Sequence, residues 1–256
     1  MNTNLKSLIG QINLLAKQIT IMKKPLLCFL FLCSTSIGYA QTTEFTARLN
    51  SGFFYFSGES VESTSQINYN LSKEDGYTNN PYGNRPTLSY GISASLSRIT
   101  KSNIRLGIDV GYEVLRSKID LNRVSLWDGF NSTSEKVNGQ TFLNNSFVNF
   151  FPSIGYRLTI NSFVLDFDLG VDVANFLSST EVGKADSNTR SYETERDRKN
   201  IESDVRGRYQ LTISRNKIGA YFGFTNGIKS YKEGIIGGTN SAFSRMIRFG
   251  FVYKIK

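Results

Sequence analysis

Asp166, Asp168 and Asp172 fall within the run Phe163-Val-Leu-Asp-Phe-Asp-Leu-Gly-Val-Asp-Val173. Residues two or six apart on an extended strand point the same way, so the three carboxyls share one face. Paired carboxylates can divide acid and base roles. The chain has no histidine, however, which removes the commonest proton carrier and a principal transition-metal ligand. Its two cysteines, Cys28 and Cys33, lie in the apolar N-terminal run. The acids of Lys73-Glu74-Asp75-Gly76 and of Glu193, Glu195 and Asp197 match no calcium-loop spacing. Interleaved Arg196, Arg198 and Lys199 read as a solvated mixed-charge segment. Gly237-Gly238 is a turn signal, with no Lys-Ser/Thr following it. We therefore expect no catalytic residue, no cofactor-binding residue, no metal site and no enzyme activity.

The element carrying the aspartates explains their spacing better than chemistry does. Phe163, Leu165, Phe167, Leu169, Val171 and Val173 alternate with the polar positions, so one face is oily and the other charged. The alternation recurs and predicts strands over about 44–57, 87–99, 104–116, 144–160, 163–173, 204–214, 218–230 and 242–256. Tyr90, Tyr112, Tyr156, Tyr209 and Tyr253 enrich the apolar face. Strands two and three, four and five, and six and seven are joined by tight turns at 100–103, 161–162 and 215–217. The other connections, about 58–86, 117–143, 178–203 and 231–241, are long and polar. Short and long connections alternate strictly, as in an outer-membrane barrel with short periplasmic turns and long external loops. A soluble lipocalin-like barrel would put the apolar face inside instead. The expected fold is all-β: an eight-stranded antiparallel transmembrane up-and-down β-barrel.

From Met22, Lys23-Lys24, an apolar run from Leu26 to Leu32 and Gly38-Tyr39-Ala40 compose a secretory signal, residues 22–40, cleaved before Gln41. Residues 1–21 read as an over-extended start, with a long n-region or a short amphipathic helix as alternatives. Residues 41–256 form the barrel domain. No small residue precedes either cysteine, so no lipid anchor is expected, and the mature chain has no thiol. The full-length charge is +9. Removing Lys6, Lys17, Lys23 and Lys24 lowers it to about +5, spread along the chain, with no footprint for nucleic acid.

With its signal peptide, its pattern and its last strand, Arg248-Phe-Gly-Phe-Val-Tyr-Lys-Ile-Lys256, the chain resembles the small OmpA-like and PorT-like outer-membrane barrels of Bacteroidetes. The resemblance implies location in the bacterial outer membrane with both mature termini periplasmic. It implies contact with outer-membrane lipid and lipopolysaccharide, and insertion by the barrel-assembly machinery through the C-terminal strand. Members often end on an aromatic residue; this chain ends on Lys256. No periplasmic peptidoglycan-binding domain is expected after the barrel.

An eight-stranded barrel has a lumen that side chains can fill. The inward positions hold Asp109, Glu113, Asp166, Asp168 and Asp172 against Arg48, Arg105, Arg157, Arg206, Arg208 and Arg248. Counted from the turns, Asp168 and Asp172 fall near the heights of Arg208 and Arg206. The expectation is a self-neutralising plug, with a narrow porin-like diffusion channel as the alternative. Function then falls to the loops, where Tyr77, Tyr82, Trp127 and Phe130 are the contact candidates. The expected role is structural or adhesive. The alternative is an accessory subunit of an envelope secretion or transport machine, with a protein partner bound through the loops.

Overall fold

A computed structural model describes residues 40–198, 203–232 and 241–255, and its regular structure is entirely β. The expectations for residues 1–39 fall outside them. The strands are β1 (Ala40–Ser57), β2 (Thr64–Asn70), β3 (Asp75–Thr78), β4 (Arg85–Thr100), β5 (Ile104–Trp127) and β6 (Ser132–Ile160). They continue as β7 (Phe163–Asp186), β8 (Ser191–Asp197), β9 (Ser203–Arg215), β10 (Ile218–Gly227) and β11 (Phe243–Lys254). Strands β1, β4, β5, β6, β7, β9, β10 and β11 pair in sequence order, and β11 returns to β1 to close the ring. That last seam is antiparallel and runs without a register shift from Thr46↔Lys254 to Ser57↔Phe243.

At one end the strands are joined by short turns, and three of these place an asparagine in the left-handed region: Asn103 (φ 64°), Asn161 (φ 53°) and Asn216 (φ 55°). Asparagine tolerates that conformation better than other residues bearing a Cβ, so it can reverse the chain in few residues. The end of β11 meets the β9–β10 turn and the start of β1 at this end of the ring: the Lys254 amide donates to the Lys217 carbonyl at 2.7 Å and the Ile255 amide to the Phe45 carbonyl at 2.8 Å.

The two faces are inverted relative to a soluble barrel. Leu49 (62% exposed) and Phe251 (68%) point outward, as do Tyr90, Ile92, Tyr156, Leu169, Tyr209 and Phe222. Arg206, Arg208 and Arg248 point inward, each 1% exposed. An apolar belt of this extent has no stable place in water, whereas lipid is its natural solvent. The lipocalin-like alternative is thereby excluded, and the fold is an eight-stranded transmembrane barrel.

At the other end the expected loops prove to be largely strand. The β5–β6 ladder continues unbroken in pairing from Ile104↔Tyr156 to Trp127↔Ser132, with one bulge near Leu121. Beside β5, β4 stops at Arg85↔Lys118 and β2 takes its place, parallel, from Thr64↔Asp120 to Asn70↔Trp127. Beside β7, β9 ends at Asn175↔Ser203 and β8 takes over between Thr180↔Asp197 and Asp186↔Ser191. An external sheet of order β3–β2–β5–β6–β7–β8 thus rises from one side of the barrel. Ile67, Leu121, Val124, Ala185 and Tyr192 give it a core of its own, apart from the lumen. The assignment of 58–86, 117–143 and 178–203 to loop is therefore corrected where β2, β3, β5, β6, β7 and β8 run through them. Inward Ile119, Leu121 and Val124 carry the alternation well past the membrane length.

Leu169 lies on the lipid face, midway along the part of β7 that pairs with β9. Leu169→Lys should destabilise the folded barrel by about 2–4 kcal/mol, read as a lower midpoint in urea unfolding from lipid vesicles. A soluble barrel would tolerate that surface lysine with almost no change.

Candidate functional site: the filled lumen and the external sheet

Three tiers of charge fill the barrel. Nearest the short turns, the Arg157 guanidinium donates to both Glu44 oxygens at 2.7 Å and to Asp166 at 2.6 and 2.8 Å. Arg105 bonds Asp168 and lies 3.6 Å from Asp166, while Lys254 approaches Glu44 at 3.7 Å. In the middle, Arg48 donates to Asp109 at 2.6 Å. Arg208 stacks on Phe151, 4.3 Å from the ring centre, and donates to Gln210 at 2.6 Å. Above them Glu113 accepts from Arg206 at 2.5 Å and from Arg248 at 2.7 Å, and Asp172 lies 3.1 and 3.4 Å from the same two guanidinia. Asp204 stands 3.8 Å from Arg206.

Ions withdrawn from water are stable only with partners and good geometry. Here carboxylates from β1, β5, β7 and β9 interdigitate with cations from β1, β5, β6, β9 and β11, so the column neutralises itself. Small residues make the room. A Cβ on Gly155 would lie 2.2 Å from the Phe167 carbonyl oxygen and 2.5 Å from Asp168 Oδ1. A cavity beside Arg48, Arg105, Asp109 and Asp168 holds about 10 Å³, about the space of one water.

Arg48, Arg105, Asp109, Glu113, Arg157, Asp166, Asp168, Asp172, Arg206, Arg208 and Arg248 are all buried. The expected pairing of Asp168 with Arg208 does not form: across the ladder Asp168 faces Gln210, and Arg105 takes its carboxylate. Strand tilt brings β5 side chains across the interior to β7, which counting along neighbouring strands does not capture. Glu44, Asp204, Gln210 and Lys254 also belong to the column, and of these Glu44 and Asp204 were missed. Glu44 alternates with Phe45 and was open to the same face argument.

Above the charged tiers an apolar cap closes the mouth. Phe54, Phe56, Leu115, Leu143, Phe147 and Met246 point inward, and Tyr82 and Tyr231 fold in from the connecting segments. Phe56 meets Tyr82 and Tyr231 edge-on at 5.1 and 4.9 Å. The Tyr231 hydroxyl donates to Asp204 at 2.7 Å, tying cap to column. Tyr82 is 4% exposed. Its selection as a surface contact is corrected: a large ring beside an open apolar mouth gains more from burial than from exposure.

The external sheet is held shut by a buried acid. Glu181 accepts the Thr78 amide at 2.5 Å and Arg198 Nε at 2.6 Å, and Arg198 also bonds the Thr78 carbonyl. This clasp joins β3 to β7 and the end of β8. Tyr192 lies in the core behind it. Burial, with its hydrogen bond to Glu135, pushes its phenol up to about 12. At the apex, Asp128 accepts the Phe130 and Asn131 amides at 2.8 and 2.6 Å. These backbone donors, Asn131 first, hold its carboxyl below the ordinary 3.8. Phe130 stands at the tip, 90% exposed, with Trp127 beneath it at 45% and Tyr77 on the sheet face at 36%.

No family model matches the chain, and no curated protein matches it. Among solved structures it is similar to the attachment invasion locus protein Ail of Yersinia pestis, at 9% identity, covering 83% of this chain and 97% of that one, with a TM-score of 0.31. Neisserial surface protein A is similar at 8% identity, over 84% and 100% of the two chains, with a TM-score of 0.33. The translocator domain of the autotransporter NalP from Neisseria meningitidis gives 8% identity, 97% coverage of each and a TM-score of 0.26. Structural similarity at this level adds no functional argument. The inverted faces and the closed ring carry the assignment.

Two results are expected. Glu113→Gln leaves Arg206 and Arg248 facing each other with weakened compensation and should cost about 3–5 kcal/mol in urea unfolding. The Asp128 carboxyl is depressed in the folded turn, so its contribution is present above pH 3.8 and lost as pH falls through the lowered value. Hydrogen exchange at Phe130 and Asn131 should lose protection in acid, and in Asp128→Ala at neutral pH.

Proposed function

We propose that this chain is a non-enzymatic outer-membrane protein whose barrel anchors an external sheet, and that the sheet mediates attachment to a partner outside the cell. The observation that carries the reading is the apex. Strands β5 and β6 continue past the barrel as a paired, cored stalk and present Phe130 almost fully exposed at its tip. An exposed aromatic on a stiff support costs little entropy on binding. The barrel is of the OmpA-like or PorT-like kind, with the short-turn end and both mature termini in the periplasm. Lipid and lipopolysaccharide surround the belt, and β11 is the strand offered to the assembly machinery. The self-neutralised column and apolar cap favour a plug over a diffusion channel. The role of machine subunit stays as the competing proposal, supported by the same external surface.

Cells displaying the protein should gain attachment to glycan- or protein-coated surfaces over cells without it. Trp127→Ala with Phe130→Ala should abolish most of that gain at equal barrel level, checked by heat-modifiable gel migration. An unchanged gain would remove the apex from the role, and a stable stoichiometric envelope partner on gentle purification would favour the machine subunit. In planar bilayers the reconstituted barrel should show no reproducible conductance steps.

A further inference from the structure

The solvent face of the external sheet has a composition unlike the lipid face below it and the core behind it. Cross-strand registry places Tyr77 beside Asn68 and Asn68 beside Ser125. One step higher, Asn70 stands beside Trp127, and one step lower Gln66 stands beside Arg123, with Lys136 next to it on β6. The amides form a ladder: Gln66 Nε2 donates to Asn68 Oδ1 at 3.3 Å, and Asn68 Nδ2 to Asn79 Oδ1 at 3.4 Å. Asn70 Oδ1 accepts the Ser72 and Lys73 amides, which fixes the side chain with its NH₂ free to donate. Tyr77 and Trp127 are two strands and one two-residue step apart, about 12 Å at ordinary strand spacings.

In the rows of Gln66, Asn68 and Asn70 the exposed charges are Arg123 and Lys136 against Asp75. Arg123, Lys136 and Arg196 are exposed, and among the described residues no carboxylate lies within ion-pair distance of them. Arg196 sits 4.8 Å over the Tyr77 ring, which orients it without neutralising it. Asp75, opposite Asn70, is the single acid in these rows.

From this juxtaposition we infer that the face binds an acidic glycan. Sugar rings present C–H surfaces that stack on Trp127 and lie against Tyr77, whose ring also carries Arg196 and Arg198. Their hydroxyl pairs exchange hydrogen bonds with the amides between the two rings. Their carboxylates meet unpaired guanidinium and ammonium groups, the stronger class of hydrogen bond. The arrangement combines flat rigid aromatics with adaptable polar side chains, as binding surfaces commonly do. The inference rests on the reading that the external sheet is the working surface, and names the chemistry it takes.

Trp127 is the only tryptophan in the chain, so its emission reports on this face directly. The intact protein in detergent should be titrated with a short galacturonate oligomer and with the same oligomer methyl-esterified. Saturable change in emission is expected with the acid, and affinity should fall with added salt. The ester, and the double variant Arg123→Ala with Lys136→Ala, should bind at least about tenfold more weakly. Arg123→Lys should bind nearly as the parent does. Calorimetry of Trp127→Ala, checked for folding by heat-modifiable migration, should show the same loss. Absence of saturable binding, equal affinity for acid and ester, or unchanged affinity in the double variant would overturn the assignment. Should the titration be silent while the apex variants still abolish attachment, the glycan class falls and the attachment reading stands. Binding without any attachment phenotype has the opposite meaning.

Discussion

Closure of β11 onto β1 is the constraint on which the rest depends. At lipid depth no water is present to satisfy a free strand edge, so every backbone amide and carbonyl must find its partner within the protein. The uninterrupted seam from Thr46↔Lys254 to Ser57↔Phe243 meets that demand. Once the ring is closed, period-two alternation leaves each side chain two destinations, lipid or lumen. Leucines, phenylalanines and tyrosines accept the first. Arginines and carboxylates are forced into the second, where they must neutralise one another. The charge column is thus a consequence of closure as much as of the residues in it.

The apolar cap and the external sheet follow from what happens where the lipid ends. Above the Glu113 tier the inward positions become Leu115, Phe147 and Phe54, and the lumen changes from an ionic interior to an ordinary hydrophobic one. From there β5, β6 and β7 keep pairing, but β4 and β9 leave. Strands β2 and β8 take their places, so the lengthened strands are not left with bare edges. The clasp of Glu181 with Thr78 and Arg198 draws β3 towards β7 and the end of β8, protecting the remaining edges. A stalk built this way is stiff, which suits it to hold Trp127 and Phe130 in fixed positions far from the lipid.

The wall of the barrel was readable because it obeys a local rule. Phe163 to Val173 keeps a large apolar residue at every odd position, and the asparagines of three short turns mark the reversals of the wall. The limits of that rule explain the errors. Residues 117–143 read as a connection because they are long and polar; the pattern of Ile119, Leu121 and Val124 continues through them with a bulge that shifts its phase near Asn122. Tyr82 lies in a segment without periodicity, so nothing local distinguishes an inward ring from an outward one. Glu181 sits among polar neighbours and shows its importance only when Thr78 and Arg198, distant in sequence, arrive beside it.

The sequence by itself determined which residues share a face, that the wall strands number eight, and that histidine chemistry is absent. These are properties of composition and of period two, and neither depends on what lies opposite. Which face meets lipid, which carboxylate holds which guanidinium, and that Asn68, Asn70, Tyr77 and Trp127 form one surface were decided by tertiary structure. Those outcomes depend on strand tilt, register and the substitution of one neighbouring strand by another. All three place residues many positions apart in the chain within a few ångströms of each other, and no local pattern encodes that distance.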